Sequence, residues 1–324
     1  MKNSHSIAQY ARVTVLGLAL ALPFSSQAEY PDKPITLVVP FAPGGNLDIT
    51  ARTFAPELSK ALKVDVTVEN KPGGGGAIGA GYVAHAHADG YTVLVSTPNA
   101  IAVVPHMTRA PYKPTDFQAI GLMATTPLLI EVNKDSRFKD FKGLLDYICA
   151  NPGKLTVGHS GIGTTNYMGL IAMEEASKCE VTPVPYKGSG PALVDLLGGQ
   201  IDAVVDQLSS SSGMIHSGKL RALAVLTAKR VSALPDVPTV TESGIKGIDA
   251  ATDTGLLVAA KTPPSITERL NKAMHDASTS PRVQKAMENI GSAAITSTPD
   301  RFAAMIKDED AFAGKLSAEG KLKR

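Results

Sequence analysis

Ser160 stands in Gly158-His159-Ser160-Gly161-Ile162, one position short of the Gly-x-Ser-x-Gly elbow that presents a nucleophile on a strained strand-to-helix turn. Acyl transfer would also need a histidine to take the serine proton and an acid to orient that histidine. Downstream the chain offers only His216 and His275, with Asp206 as a drawable acid, and no spacing ties them together. A serine hydrolase using Ser160 is therefore the alternative reading and not the leading one. Gly74-x-Gly76-x-x-Gly79 matches the dinucleotide fingerprint between a strand and a helix. Yet the next strand ends in Ser96-Thr97 with no acid for a ribose, and no Lys-Ser or Lys-Thr follows for a phosphate loop. The glycines read instead as a tight connection that needs left-handed backbone. His85 and His87, two apart, point to different faces of a helix and make no simple metal grip. Cys149 and Cys179 fit no zinc or redox spacing, although they could pair with each other. No catalytic residue, metal or cofactor is expected.

What remains is a set of loops, and the elements around them explain their placement. From Ile35 onward, short β-branched runs alternate with turn-rich loops and amphipathic stretches of ten to sixteen residues, which is βα alternation. Strands are predicted over 35–39, 64–69, 91–96, 155–158, 181–184, 201–206, 220–226 and 255–260. Helices are predicted over 48–62, 78–88, 141–150, 166–178, 265–287 and 299–316, with another ending at Leu197. The stretch Phe117–Asn133 reads as two extended segments broken at Thr126-Pro127, and the serines after Asp206 read as a turn. The economical fold is α/β, with two Rossmann-like lobes. In a parallel sheet the carboxyl ends of the strands and the N-termini of the following helices share one edge, where α/β proteins bind ligands. Here that edge carries Phe41–Asn46, Ser96–Asn99, Ser160–Asn166 and Gly188–Ala192, rich in Gly, Ser, Thr and Asn and nearly free of Lys, Arg and His. Such an edge offers hydrogen bonds and helix dipoles, which favour a small anion over acid–base chemistry.

Lys2 and Arg12 precede an apolar run from Val13 to Leu22 that is too short to span a membrane, and Ser26-Gln27-Ala28 then offers a small-x-small cleavage site. Residues 1–28 are expected to be a signal peptide cut after Ala28, which places the mature chain in the periplasm, where a disulfide is permitted. Lys and Arg total 32 against 30 for Asp and Glu. Both excess cations sit in the leader, so the mature chain is neutral, without a basic block to track nucleic acid. An anion must be held by local geometry. The combined reading is an exported receptor that closes two lobes on a small carboxylate.

Five strings in order resemble one family: VVPFAPGGNLD (Val38–Asp48), VENKPGGGGAIGA (Val68–Ala80), ADGYTVL (Ala88–Leu94), PYKGSGPALVDLLGGQIDAVVDQ (Pro185–Gln207) and GKLRALAVLTAKRVSALPDVPTVTESG (Gly218–Gly244). With the closing STPDRFAAMIKDE (Ser297–Glu309), they look like the Bug (Bordetella uptake gene) or TctC receptors of tripartite tricarboxylate transporters. The resemblance implies a type II periplasmic-binding-protein architecture with the ligand cleft between the lobes. Its first domain would take residues 29–126 with 250–324, and its second 127–249. It also implies ligand contacts from Phe41, Ala42, Pro43, Gly44, Asn46, Ser96 and Thr97 on one side. Ser160, Thr164, Thr165, Asn166, Gly188, Ser189 and Asp206 would answer from the other, with Asp48 bracing its helix. Two departures line the expected pocket. Tyr167 stands where the family often has His, and Ala251-Thr252-Asp253-Thr254 replaces an aromatic pair, so Asp253 either faces water or reads a donor on the ligand. The expected ligand is a di- or tricarboxylate, an amino acid or an aromatic acid. The expected partners are the permease subunits of a tripartite transporter, with the receptor itself a monomer; a carboxylate sensor for a membrane signalling partner has the same signature.

Overall fold

The computed structural model of the protein describes residues 30–320 and 322, so the expected leader and its cleavage site lie outside it. Along the chain run β1 (Ile35–Val39), α1 (Asn46–Leu62), β2 (Val66–Asn70), α2 (Ala77–Ala84), β3 (Thr92–Ser96), α3 (Pro98–Ala102), α4 (Val104–Met107) and β4 (Phe117–Asn133). Then come α5 (Phe141–Ala150), β5 (Thr156–His159), α6 (Thr165–Ser177), β6 (Thr182–Pro185), α7 (Ser189–Leu197), β7 (Ala203–Gln207), α8 (Leu208–His216) and β8 (Leu220–Val225). The chain closes with β9 (Ala251–Ala259), α9 (Pro264–Ser278), α10 (Pro281–Asn289), β10 (Ala293–Ala294) and α11 (Pro299–Ala318).

The strands form one path, β2-β1-β3-β9-β4-β7-β5-β6, with β8 and β10 also paired to β4. Parallel trios at the two ends, β2-β1-β3 and β6-β5-β7, are joined through the antiparallel β9 and β4. Each trio reverses its order about its first strand, and ligand crevices of α/β sheets open at such a reversal. Period-2 alternation divides the apolar side chains between two faces. In the first half Phe54, Leu58, Met274 and Val283 pack on Leu37, Val93 and Leu256, while Val83, Ile101 and Phe302 pack on Val38, Leu94 and Leu257. In the second, Phe141, Leu144 and Leu170 cover Ile130 and Val205, and Leu193 and Leu196 cover Val204. Cys149 at the end of α5 is bonded to Cys179 after α6. Closing that 30-residue separation contributes about 3–4 kcal/mol by limiting the unfolded chain.

Four sequence expectations are corrected. Phe117–Asn133 is one strand of 17 residues. Pro127 is tolerated because it lies where pairing to β9 ends, opposite Ala251, and pairing to β7 begins at Leu128, so no ladder donor is required there. The serines after Asp206 lie in α8, drawn into helix by Leu208, Met214 and Ile215, which pack on the sheet. Residues 265–287 split into α9 and α10, since Pro281 cannot continue a helix but starts one, with the Ser280 hydroxyl accepting the Val283 N–H. Residues 98–107, without a predicted element, form α3 and α4, each with proline in its first turn. The run Gly73–Gly76 adopts positive φ at all four glycines (134°, 61°, 65° and 100°).

Candidate functional site

The loops after β1, β3, β5 and β6 and the end of β7 meet in a cleft between the two halves of the sheet. Its walls are Phe41, Gly45, Asn46, Leu47 and Thr97 on one side, and Ser160, Thr164, Thr165, Asn166, Gly188, Ser189 and Gln207 on the other. Neither a charged residue nor a histidine is among them. The helices α1, α6 and α7 begin here, at Gly45, Thr164 and Gly188. Their positive ends converge on the cleft, each worth about 0.3–1 kcal/mol to an anion and more where water is excluded.

The polar wall is a connected network. Ser160 Oγ donates to Asn166 Oδ1 (2.8 Å). Asn166 Nδ2 donates to the Val205 carbonyl (2.9 Å) and to Gln207 Oε1 (3.2 Å), while Gln207 Nε2 returns to Asn166 Oδ1 (2.8 Å) and reaches Thr252 Oγ1 (3.1 Å). Thr164 caps α6 by accepting the Tyr167 N–H. Opposite, Asn46 Oδ1 accepts from Thr126 (3.0 Å) and Ser209 (2.7 Å). Contacts cross the cleft directly: the Ala42 N–H donates to the Lys187 carbonyl (2.9 Å) and Thr165 Oγ1 to Asn99 Oδ1 (3.1 Å). Val103 and Met107 pack with Tyr167 and Ile171 from the other half. The two halves are closed on one another. The space left for the centre of a water molecule is about 20 Å³, room for roughly one water.

The geometry disposes of the hydrolase alternative. The Ser160 hydroxyl spends its hydrogen on an amide oxygen, and among the described residues no imidazole bonds to it. His159 is buried, and burial pushes its pKa down to about 4. Its Nδ1 accepts the Gly161 N–H (3.2 Å) and its ring lies against Tyr167, so it is neutral and tied to its own loop. A serine without a base is a weak nucleophile. Gly75 supplies contact, not phosphate binding: a Cβ there would come within 2.4 Å of the Ile162 carbonyl across the cleft.

Of the residues expected at the ligand, Phe41, Asn46, Thr97, Ser160, Thr164, Thr165, Asn166, Gly188 and Ser189 share the cleft wall. Six do not line it. Ala42, Pro43 and Gly44 meet the other half by backbone or turn to Asp48, and Ser96 is buried at the end of β3. Asp206 and Asp253 are displaced by strand alternation. Gln207, next to Asp206, lines the cleft, while Asp206 is fully buried behind the wall, on the face of β7 that α7 covers. Asp253 is half-buried opposite Thr125, and its neighbours Thr252 and Thr254 turn inward to Gln207 and Asn46. The cleft wall also holds Gly45, which lay within the predicted edge Phe41–Asn46, and Leu47 and Gln207, which were not singled out; the position of Gln207, last in a strand and first before a helix, was the available signal for it.

Comparison with known proteins fits this geometry. Residues 50–321 match the model of the tripartite tricarboxylate transporter family receptor, TctC. A protein of the tcbD-tcbE intergenic region of Pseudomonas sp. strain P51 is 36% identical, over 96% of this chain and 95% of that one. Among solved structures, periplasmic binding protein BugD is 32% identical with a TM-score of 0.84, covering 91% of this chain and 99% of its own. MatC of Rhodopseudomonas palustris with bound malate is 30% identical with a TM-score of 0.84, covering 89% and 100%. The chain belongs to the Bug/TctC family of periplasmic solute-binding receptors, which are not enzymes.

Proposed function

We propose that this receptor is exported to the periplasm, with its leader cut after Ala28, and delivers a small carboxylate to the membrane subunits of a tripartite transporter as a monomer. The two lobes, residues 29–126 with 250–324 and residues 127–249, part to admit the ligand and close over it. One observation carries the reading: three helix N-termini and a wall of hydroxyl and amide side chains, without a cation or an acid, converge between halves that touch. That MatC holds malate supports a carboxylate as the class.

A thermal-shift screen of mono-, di- and tricarboxylates, amino acids and aromatic acids tests it. A cognate ligand at a hundredfold excess over Kd stabilises the closed form by about 2.7 kcal/mol. A library in which no carboxylate raises Tm would overturn the carboxylate assignment. Neither the unaltered protein nor Ser160→Ala should show ester turnover, and the substitution should weaken the bound carboxylate only modestly, by roughly 1 kcal/mol for one neutral hydrogen bond.

A further inference from the structure

Behind the cleft wall, on the face of the second half covered by α7 and α8, lie two carboxyl groups that do not line the cleft. Glu131 of β4 and Asp206 of β7 are both fully buried, at 0% exposure. The register pairs Leu129 with Asp206 and Glu131 with Val204, so the two acids are diagonal neighbours on one face, within reach for a long side chain. Among the described residues, none of the four carboxyl oxygens has a hydrogen-bond partner, and the buried hydroxyls of Ser210 and Ser211 above them have none either. Among the described residues no Lys, Arg or His is ion-paired with either acid. The other titratable groups on the covering elements are engaged elsewhere: Arg221 of β8 with the Phe138 carbonyl, His216 of α8 with the Ser212 carbonyl and Asp195 of α7 with Tyr186. Ala222 of β8 stands opposite Glu131.

Two ionised carboxylates cannot persist side by side out of water. Burial raises both groups, and the Asp206 charge raises Glu131 further. Ser189, the Gln207 N–H, Ser210 and Asn166 face the Asp206 carboxyl and temper its rise, leaving it at about 6. Ser189 is the connection to the cleft. It lines the wall, and its hydroxyl donates to Gln207 Oε1 over a long 3.2 Å while also facing Asp206. In this structure that hydrogen goes to Gln207, and the Asp206 carboxyl, without a hydrogen bond of its own on the face of β7 that α7 covers, is the second acceptor within its reach.

We propose that Glu131 and Asp206 hold one shared proton at neutral pH, and that a second proton, taken up on mild acidification, turns the Ser189 hydroxyl from Asp206 to Gln207 on the cleft wall. Glu131 is then a positioning residue for a ligand it never touches. The link to ligand rests on the receptor reading above, but the test needs no ligand and so succeeds or fails apart from it. Carbon-detected NMR of the full mature chain should show one glutamate carboxyl still protonated at pH 7, and Glu131→Gln should remove that signal. The side-chain amide of Gln207 should shift between about pH 5 and pH 7, following Asp206, and the shift should vanish in Ser189→Ala and in Asp206→Asn. Glu131→Leu, which deprives the charged Asp206 of a donor, should move the midpoint up, while Glu131→Gln, which keeps a donor, should bring it back toward the original value. A glutamate spectrum with every carboxyl ionised at pH 7 would overturn the shared proton, as would a metal ion bound at the pair. A Gln207 signal that is flat with pH, or unaltered by Ser189→Ala, would overturn the relay.

Discussion

Gly190→Val should leave both halves folded and raise the Kd for a captured ligand a hundredfold or more, about 2.7 kcal/mol. Gly190 lies in the first turn of α7 with ordinary helical backbone, so a side chain is tolerated by the helix itself. The obstruction is across the cleft: a Cβ on Gly190 would stand 2.4 Å from the Pro43 carbonyl oxygen and 3.5 Å from its carbonyl carbon. Those are backbone atoms of the loop that carries Phe41 and Asn46, and they cannot step aside without taking the wall with them. Valine therefore props the halves open by its own thickness. The ligand would then meet one wall instead of two, and helix N-termini opened to water lose much of their hold on an anion. Small-angle scattering should show that ligand no longer compacts the variant, and calorimetry should show the weakened binding. Gly213→Ala, where an added Cβ meets nothing within 4 Å, is the control. Unchanged affinity in Gly190→Val would mean that closure contributes nothing to capture.

Asp48→Ala should cost about 3 kcal/mol of stability and loosen the loop after β1. The side chain is nearly fully buried, and its two oxygens organise that loop. Oδ2 accepts the Gly44 N–H at 3.0 Å, and Oδ1 accepts from Arg52 Nε at 3.0 Å and Asn70 Nδ2 at 2.9 Å. Asn70 Nδ2 also donates to the Phe41 carbonyl at 3.0 Å, so one carboxylate fixes both ends of Phe41–Gly44. Bonds to a charged acceptor contribute roughly 1.5–3 kcal/mol each, and this shared network falls short of their sum. Burial by itself would raise the Asp48 carboxyl, but the bonds from Arg52, Gly44 and Asn70 outweigh it and hold the pKa below the usual value. A depressed pKa stabilises the fold above the unfolded value near pH 4, and the contribution is lost as pH falls through the folded one. Chemical denaturation should therefore show the full gap between the two proteins at pH 7 and a narrowing gap below about pH 4. A gap that stayed constant down to pH 3 would show that the charge on Asp48 does not carry the effect.

Local chemistry made much of this architecture legible in the chain. Ile35–Val39 is read as a strand with unchanged bounds because five β-branched or aliphatic residues end at Pro40. The Gly, Ser, Thr and Asn loops pointed to the cleft because strand–loop–helix order alone assigns them to one edge of a parallel sheet. What was not legible depended on partners distant in sequence. Pro127 looks like a break until β7 takes over from β9 beside it. Which of Asp206 and Gln207 lines the cleft depends on which face of β7 meets the covering helices, and that is set by partners distant in sequence. Glu131 sits in the apolar run Leu128–Val132, where nothing nearby announces a second acid across the ladder.

The junction at Pro127 also has a mechanical meaning. Between the halves β4 passes as unbroken strand, while the return crossing enters β9 at Ala251 from an irregular segment, so the opening proposed above would have to bend a hydrogen-bonded ribbon at the first crossing. A ribbon bends where it is least bonded. Pro127, without an N–H, sits where one neighbour leaves and the next arrives, with Ala251 opposite and Leu128 held by the Ala250 carbonyl at 3.2 Å. In the parting of the lobes proposed above, the missing hydrogen of Pro127 would mark the place where that ribbon gives first, between the pairing that ends at Ala251 and the pairing that begins at Leu128.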